Sequence, residues 1–164
     1  MQNIFKVDGK VKVKALIISI LVTFGVALLG AIAGKQYFGD YLKLNKPVFS
    51  PPSFVFPVVW TLLYILMAIA VYRVYVKTYS GTNKAKAIKL YAVQLFLNFL
   101  WPVLFFRLRL YGISFLELLL LLVFILLTTF EFFKIDKVAA LLMIPYIIWV
   151  SFAGVLNYVI WMMN

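Results

Sequence analysis

The stretch Tyr41–Tyr64, YLKLNKPVFSPPSFVFPVVWTLLY, decides how the chain is read. Proline fixes φ, lacks an N–H and pushes the residue before it out of the helical region. Pro47, Pro51 and Pro52 therefore predict an extended, ordered connector over Lys35–Pro51, and Pro51 or Pro52 suits the first turn of the helix that follows. Trp60 and Tyr64 lie one turn apart on one face of that apolar helix.

Outward from this stretch the chain stays apolar: of 164 residues, 66% are hydrophobic and 13% charged. A soluble domain of this size cannot hide so much apolar surface, so the bilayer is the solvent. The net charge of +11 sits in short connectors, which points to phospholipid headgroups rather than nucleic acid. There is no Cys, hence no disulfide or thiolate chemistry, and no His, which removes the usual zinc and haem ligand and the commonest general base. No cofactor is expected. Iron coordination would fall to Tyr or Met.

About 20 apolar residues cross the hydrocarbon core as a helix. Five runs qualify, over about 15–34, 52–76, 87–106, 114–133 and 138–163, and predict an all-α five-helix membrane bundle of one domain without internal repeat. Lys10, Lys12 and Lys14 before the first run, with Ala31-Ile32-Ala33 at its end, imitate a signal peptide, but the run is longer than a usual signal core. Of the 16 basic residues, eleven fall on the N-terminal side (Lys6, Lys10, Lys12, Lys14, Arg73, Lys77, Lys84, Lys86, Lys89, Lys134 and Lys137). Five fall opposite: Lys35, Lys43, Lys46, Arg107 and Arg109. This bias predicts a cytoplasmic N-terminus.

Each span carries one small, polar or aromatic face. These are Ser19, Thr23, Gly30 and Gly34; Trp60 and Tyr64; Gln94, Asn98, Trp101 and Phe105; Glu117, Thr128 and Glu131; and Tyr146, Trp149, Ala153 and Asn157. Lipid cannot satisfy such groups, so these faces point inward. Trp60, Asn98, Glu117, Ala153 and Asn157 fall roughly 5 to 15 Å below the connector side, with Trp149 a little deeper. A ligand cavity beneath the connector is one reading. The other is ordinary packing, because every helical bundle gathers Trp, Asn and Gly inside. Glu117 reads first as a carboxylate that reaches the interface to pair with Arg107 or Arg109, and second as a ligand or proton group. Aromatic walls with a few amides and a basic mouth of Lys43, Lys46, Arg107 and Arg109, beside Pro47 and Pro51, suit a flat apolar ligand bearing acids. Singly, those cations also suit headgroups.

The connector pattern, together with LNFLWPVLFF at 97–106 and IPYIIWVSFAGVLNYVIW at 144–161, resembles the tryptophan-rich sensory protein family (TspO/MBR), the translocator proteins. The resemblance covers nearly the whole chain. It implies a five-helix membrane protein, commonly a homodimer, that binds porphyrins and isoquinoline- or benzodiazepine-type ligands. By resemblance Trp60 and Trp149 match pocket tryptophans connected with porphyrin binding and its light- or oxygen-dependent breakdown. Ala153 and Leu156 match drug-pocket positions, and Asn98 and Trp101 match the third-helix motif. The chain departs from the family at Asp40, Phe49, Phe54 and Ile113, where members often carry Trp. Its C-terminal LNYVIWMMN lacks the Arg of the cholesterol motif, which argues against cholesterol. The pattern is loose, since Leu66, Tyr72 and Lys77 also satisfy it.

The expected function is therefore a membrane porphyrin-binding sensor or scavenger with a pocket of Trp60, Tyr64, Asn98, Trp101, Tyr146, Trp149, Ala153, Leu156 and Asn157. Catalysis, if any, rests with Trp60 and Trp149 and comes from the resemblance alone; no nucleophile–base pair or metal site is recognisable. The alternatives are a transporter of small amphipathic molecules, or a non-catalytic partner subunit assembled through Gly30–Gly34 or another small face.

Overall fold

The computed structural model describes residues 4–35, 38–78 and 84–164, with the side chains of Lys35 and Phe38 excepted. Five helices are long and apolar enough to cross a membrane. These are α1 (Val13–Lys35), α3 (Val55–Val76), α4 (Lys84–Pro102) with a π turn (Val103–Arg107), α5 (Tyr111–Ile135) and α6 (Lys137–Met163), while the short α2 (Phe38–Lys43) lies in the first connector. Neighbours close a ring in the order α1, α3, α6, α5, α4 and back to α1.

The prolines place these elements. Pro51 and Pro52 stay in the connector, and α3 begins at Val55, so Pro57 rather than Pro51 or Pro52 occupies its first turn. There the missing N–H costs nothing, because first-turn N–H groups have no helical partner. The expected fully extended connector is corrected by α2. The prolines constrain only its second half, whereas Asp40 in the first turn and Lys43 in the last suit a helix dipole. Lys46 then donates from Nζ to the carbonyls of Tyr41 and Leu42, both at 3.0 Å, and stops the helix. Pro102 ends the regular winding of α4, and the π turn that follows turns Phe105 into the interior.

The bundle is packed unevenly along its axis. Towards the N-terminal side, α3 is buried over most of Met67–Val76, against Tyr91 of α4, Phe132 of α5 and Met143 of α6. That end is closed by a buried ion pair: Arg73 meets Asp136, Nη2 to Oδ2, at 2.9 Å. Asp136 also caps α6 by accepting from the Ala139 N–H at 2.9 Å. The N-terminal segment folds over the same end as a tight hairpin, with Val7 bridged to Lys10 and Asp8 and Gly9 at φ 50° and 78°. Arg73 holds the Ile4 and Lys6 carbonyls, and the Tyr72 hydroxyl donates to the Phe5 carbonyl. The half towards the first connector holds partly buried aromatic rings instead. Gly30 and Gly34 of α1 meet Pro102 and Phe106 there: a Cβ on Gly34 would lie 3.2 Å from the Phe106 ring. The small-residue face proposed for assembly is thus taken up inside the chain.

Candidate functional site

Between α3, α4 and α6 a chain of hydrogen bonds runs through three of the expected side chains and Gln94. Tyr64 donates to Asn98 Oδ1 at 2.5 Å, Asn98 Nδ2 donates to the Tyr146 hydroxyl at 2.7 Å, and Tyr146 donates to Gln94 Oε1 at 3.1 Å. Trp60 completes the group, 5.6 Å from the Tyr64 ring and edge-on to Tyr146 at 6.2 Å. The helical periods explain the convergence: Trp60–Tyr64 and Gln94–Asn98 are each one turn apart, so each helix presents two groups to one place. Trp149 lies one turn from Tyr146 and meets Phe56 and Phe152, at 5.9 and 5.6 Å between ring centres.

A second network lies nearer the connector. Asn157 accepts on Oδ1 from Trp101 Nε1 at 3.1 Å and from Ser114 Oγ at 3.0 Å, and donates to the Tyr111 carbonyl at 2.8 Å. The Trp101 ring stacks on Phe105 at 4.9 Å. Leu156 is buried in the neighbouring cluster with Tyr41, Phe105 and Ile160, and Ala153 packs against the main core. The structure therefore joins Trp60, Tyr64, Asn98 and Tyr146 directly, sets Trp149 beside them, and draws Trp101 and Asn157 into a layer above.

Tyr41 holds the connector down. Its buried ring meets Phe56, Phe105 and Phe106 at 5.8 to 6.1 Å. Burial raises its phenol above the ordinary value, against an opposing hydrogen bond with Ser50. Of the expected mouth cations, Arg109 pairs with Asp40 at 2.5 Å, and Lys43 stands 3.8 Å from the same carboxylate. Lys46 is turned to its own connector, and Arg107 is exposed at the end of the π turn. Pro47 and Pro51 are half-buried. The cavity directly beneath is small, about 10 Å³, lined by Asp40, Tyr41, Leu44, Phe105, Phe106, Arg109 and Tyr111. A flat ligand enters only if these rings part.

Glu117 corrects its first reading. It is buried, 7% exposed, and neither carboxylate oxygen has a hydrogen-bond partner among the described residues. Arg109 is engaged by Asp40 instead, because the π turn and α2 bring those two together. Sequence reasoning also left out Phe56, Tyr41, Ser114 and Tyr111. Phe56 was detectable, four residues before Trp60 on the same face. Ser114 and Tyr111 carry no pattern that separates them from any helix start.

A family model described as "TspO/MBR family" matches residues 17–162. The chain is 34% identical over 153 residues to "Tryptophan-rich protein TspO" of Chlorobaculum tepidum, covering 90% of this chain and 97% of that one. It is 36% identical to "Tryptophan-rich sensory protein" of Cereibacter sphaeroides, with 88% of each chain covered. It is 37% identical to the human "Translocator protein", with 83% of this chain and 84% of that one covered.

Proposed function

The chain belongs to the TspO/MBR family, and from that premise we propose that it binds a protoporphyrin-like ligand, or a flat drug-like one, between α3, α4 and α6. The observation that carries this reading is the gathering of Trp60, Tyr64, Tyr146 and Trp149 in the connector half of the bundle, beneath a connector pinned by Tyr41. Indole and phenol faces supply stacking surface at little conformational cost. Arg107, Arg109 and Lys43 lie at the connector end, where porphyrin carboxylates would meet them. Light- or oxygen-dependent porphyrin breakdown is the enzymatic form of the same reading, with Trp60 or Trp149 passing an electron to the excited ring.

The protein is an integral, multi-pass membrane protein. We place its N-terminus in the cytoplasm. The N-terminal hairpin, Arg73, Lys77 and the α5–α6 junction share one end of the bundle, and eleven of the 16 basic residues belong to that side. A bacterial plasma membrane suits the composition, with the mitochondrial outer membrane as the alternative. A homodimer, if formed, uses a face other than Gly30–Gly34, which Pro102 and Phe106 occupy.

The test titrates the purified protein with protoporphyrin IX and with its dimethyl ester, in the dark and under light. Saturable binding that weakens with the ester supports the basic mouth, and light-driven loss of porphyrin absorbance that needs the tryptophans supports breakdown. Binding that never saturates would remove the porphyrin reading.

A further inference from the structure

Inside the bundle, three residues carry buried polar atoms with no hydrogen-bond partner among the described residues: Gln94 Nε2, Trp149 Nε1 and both carboxylate oxygens of Glu117. They come from three helices, α4, α6 and α5. Gln94 receives the Tyr146 hydroxyl proton through its other atom, and Trp149 is one turn along α6 from Tyr146. Glu117 stands six residues into α5, roughly 9 Å from its start. It follows by one turn Ser114, which faces Asn157 inside the bundle.

An unpartnered carboxylate is among the costliest groups a membrane interior can hold, and native structures seldom keep one without a use. No described contact joins this group to the mouth arginines, one of which Asp40 already holds. We propose that Glu117 is the acceptor for an N–H donor, amine or pyrrolic, on the buried end of a planar aromatic ligand. The inference rests on the pocket described above and adds its polarity. Glu117 offers an acceptor at the inner end, whereas Arg107 and Arg109 at the connector end attract acids. A ligand with acids on one edge and N–H groups further in is therefore held in one orientation.

The experiment uses the full chain in lipid nanodiscs and two pyrenes of similar shape, 1-aminopyrene and 1-methylpyrene, with protein-free nanodiscs as the correction for partitioning. Energy transfer from tryptophan reads binding. Wild type should favour 1-aminopyrene by about 2- to 10-fold, the scale of one hydrogen bond. Glu117→Leu should erase that preference, and Glu117→Gln, which keeps an acceptor, should retain part of it. Thermal unfolding of both variants should be no lower than wild type, because neither loses a protein partner. Equal binding of the two pyrenes by wild type, or a preference that survives Glu117→Leu, would overturn the proposal. Saturable protoporphyrin binding without amine preference removes the role of Glu117 and leaves the pocket. Amine preference without protoporphyrin binding does the opposite, and no saturable binding of any probe removes both.

Discussion

At the scale of single residues, Asn98 is the hinge of the site, since it accepts from Tyr64 and donates to Tyr146. Replacing it with Leu leaves two buried hydroxyls each short of a partner. Interhelical hydrogen bonds in membranes average less than those in water, so the expected loss is about 1 kcal/mol, read by denaturant-driven unfolding in mixed micelles. Gly112 shows a tighter constraint. A Cβ there would lie 2.8 Å from the Trp161 indole, so the glycine lets the start of α5 approach the end of α6. Gly112→Ala should lower stability by about 1 kcal/mol or more, the usual scale for overpacking. Trp161→Ala should cancel most of that loss in a double-mutant cycle, whereas additive effects would show that the indole is not what the methyl meets.

At the scale of elements, the connector is held by partly exposed contacts and the N-terminal end by a buried ion pair. The Asp40–Arg109 pair and the Tyr41 ring fasten α2 to the π turn. The pair is partly exposed and worth no more than about 1 kcal/mol, so Asp40→Asn should leave global stability almost unchanged. It should nevertheless speed ligand entry, visible as a faster association phase in stopped-flow quenching. Arg73–Asp136 is the opposite case. Both side chains are buried, and breaking the pair alone with Arg73→Leu should cost about 3 to 5 kcal/mol. The hairpin above it responds to acid. Lys77 and Thr78 hold the Asp8 carboxyl below its ordinary value, so this contact is complete above the unfolded carboxyl value and is lost as pH falls through the lowered one. Amide protection factors at Val7 and Lys10, exchange rates relative to the unstructured chain at the same pH, should fall only in that acidic window, and a fall near neutrality would assign the hairpin to another group.

At the scale of the whole molecule, the membrane fold was legible because hydropathy and span length alone select five helices. The helix ends were less so. Pro51 and Pro52 looked like helix starts, but Pro57 took the first turn, and α2 formed where no proline forbade it. In the site, helical period put Trp60 and Tyr64 on one face, and the structure sets their rings side by side, but the depth count grouped Asn98 with Asn157, which belong to separate networks. What the sequence could not carry was partner choice. Spacing cannot say that Asn157 binds Trp101 and Ser114, that Asp40 captures Arg109, or that Glu117 is left without a partner. Those depend on how the ring of helices closes and on the π turn after Pro102.

The central claim is that a flat ligand lodges against Trp60 and Trp149, and the most direct measurement is a dark titration of the full chain with protoporphyrin IX, followed by tryptophan quenching. Trp60→Phe, Trp149→Phe and, as a control away from the site, Trp161→Phe are titrated alongside. Saturable quenching is expected, with affinity reduced roughly 2- to 10-fold in the first two variants, the scale of an aromatic contact, and unchanged in the third. Quenching that does not saturate, or three variants that bind like wild type, would contradict the account.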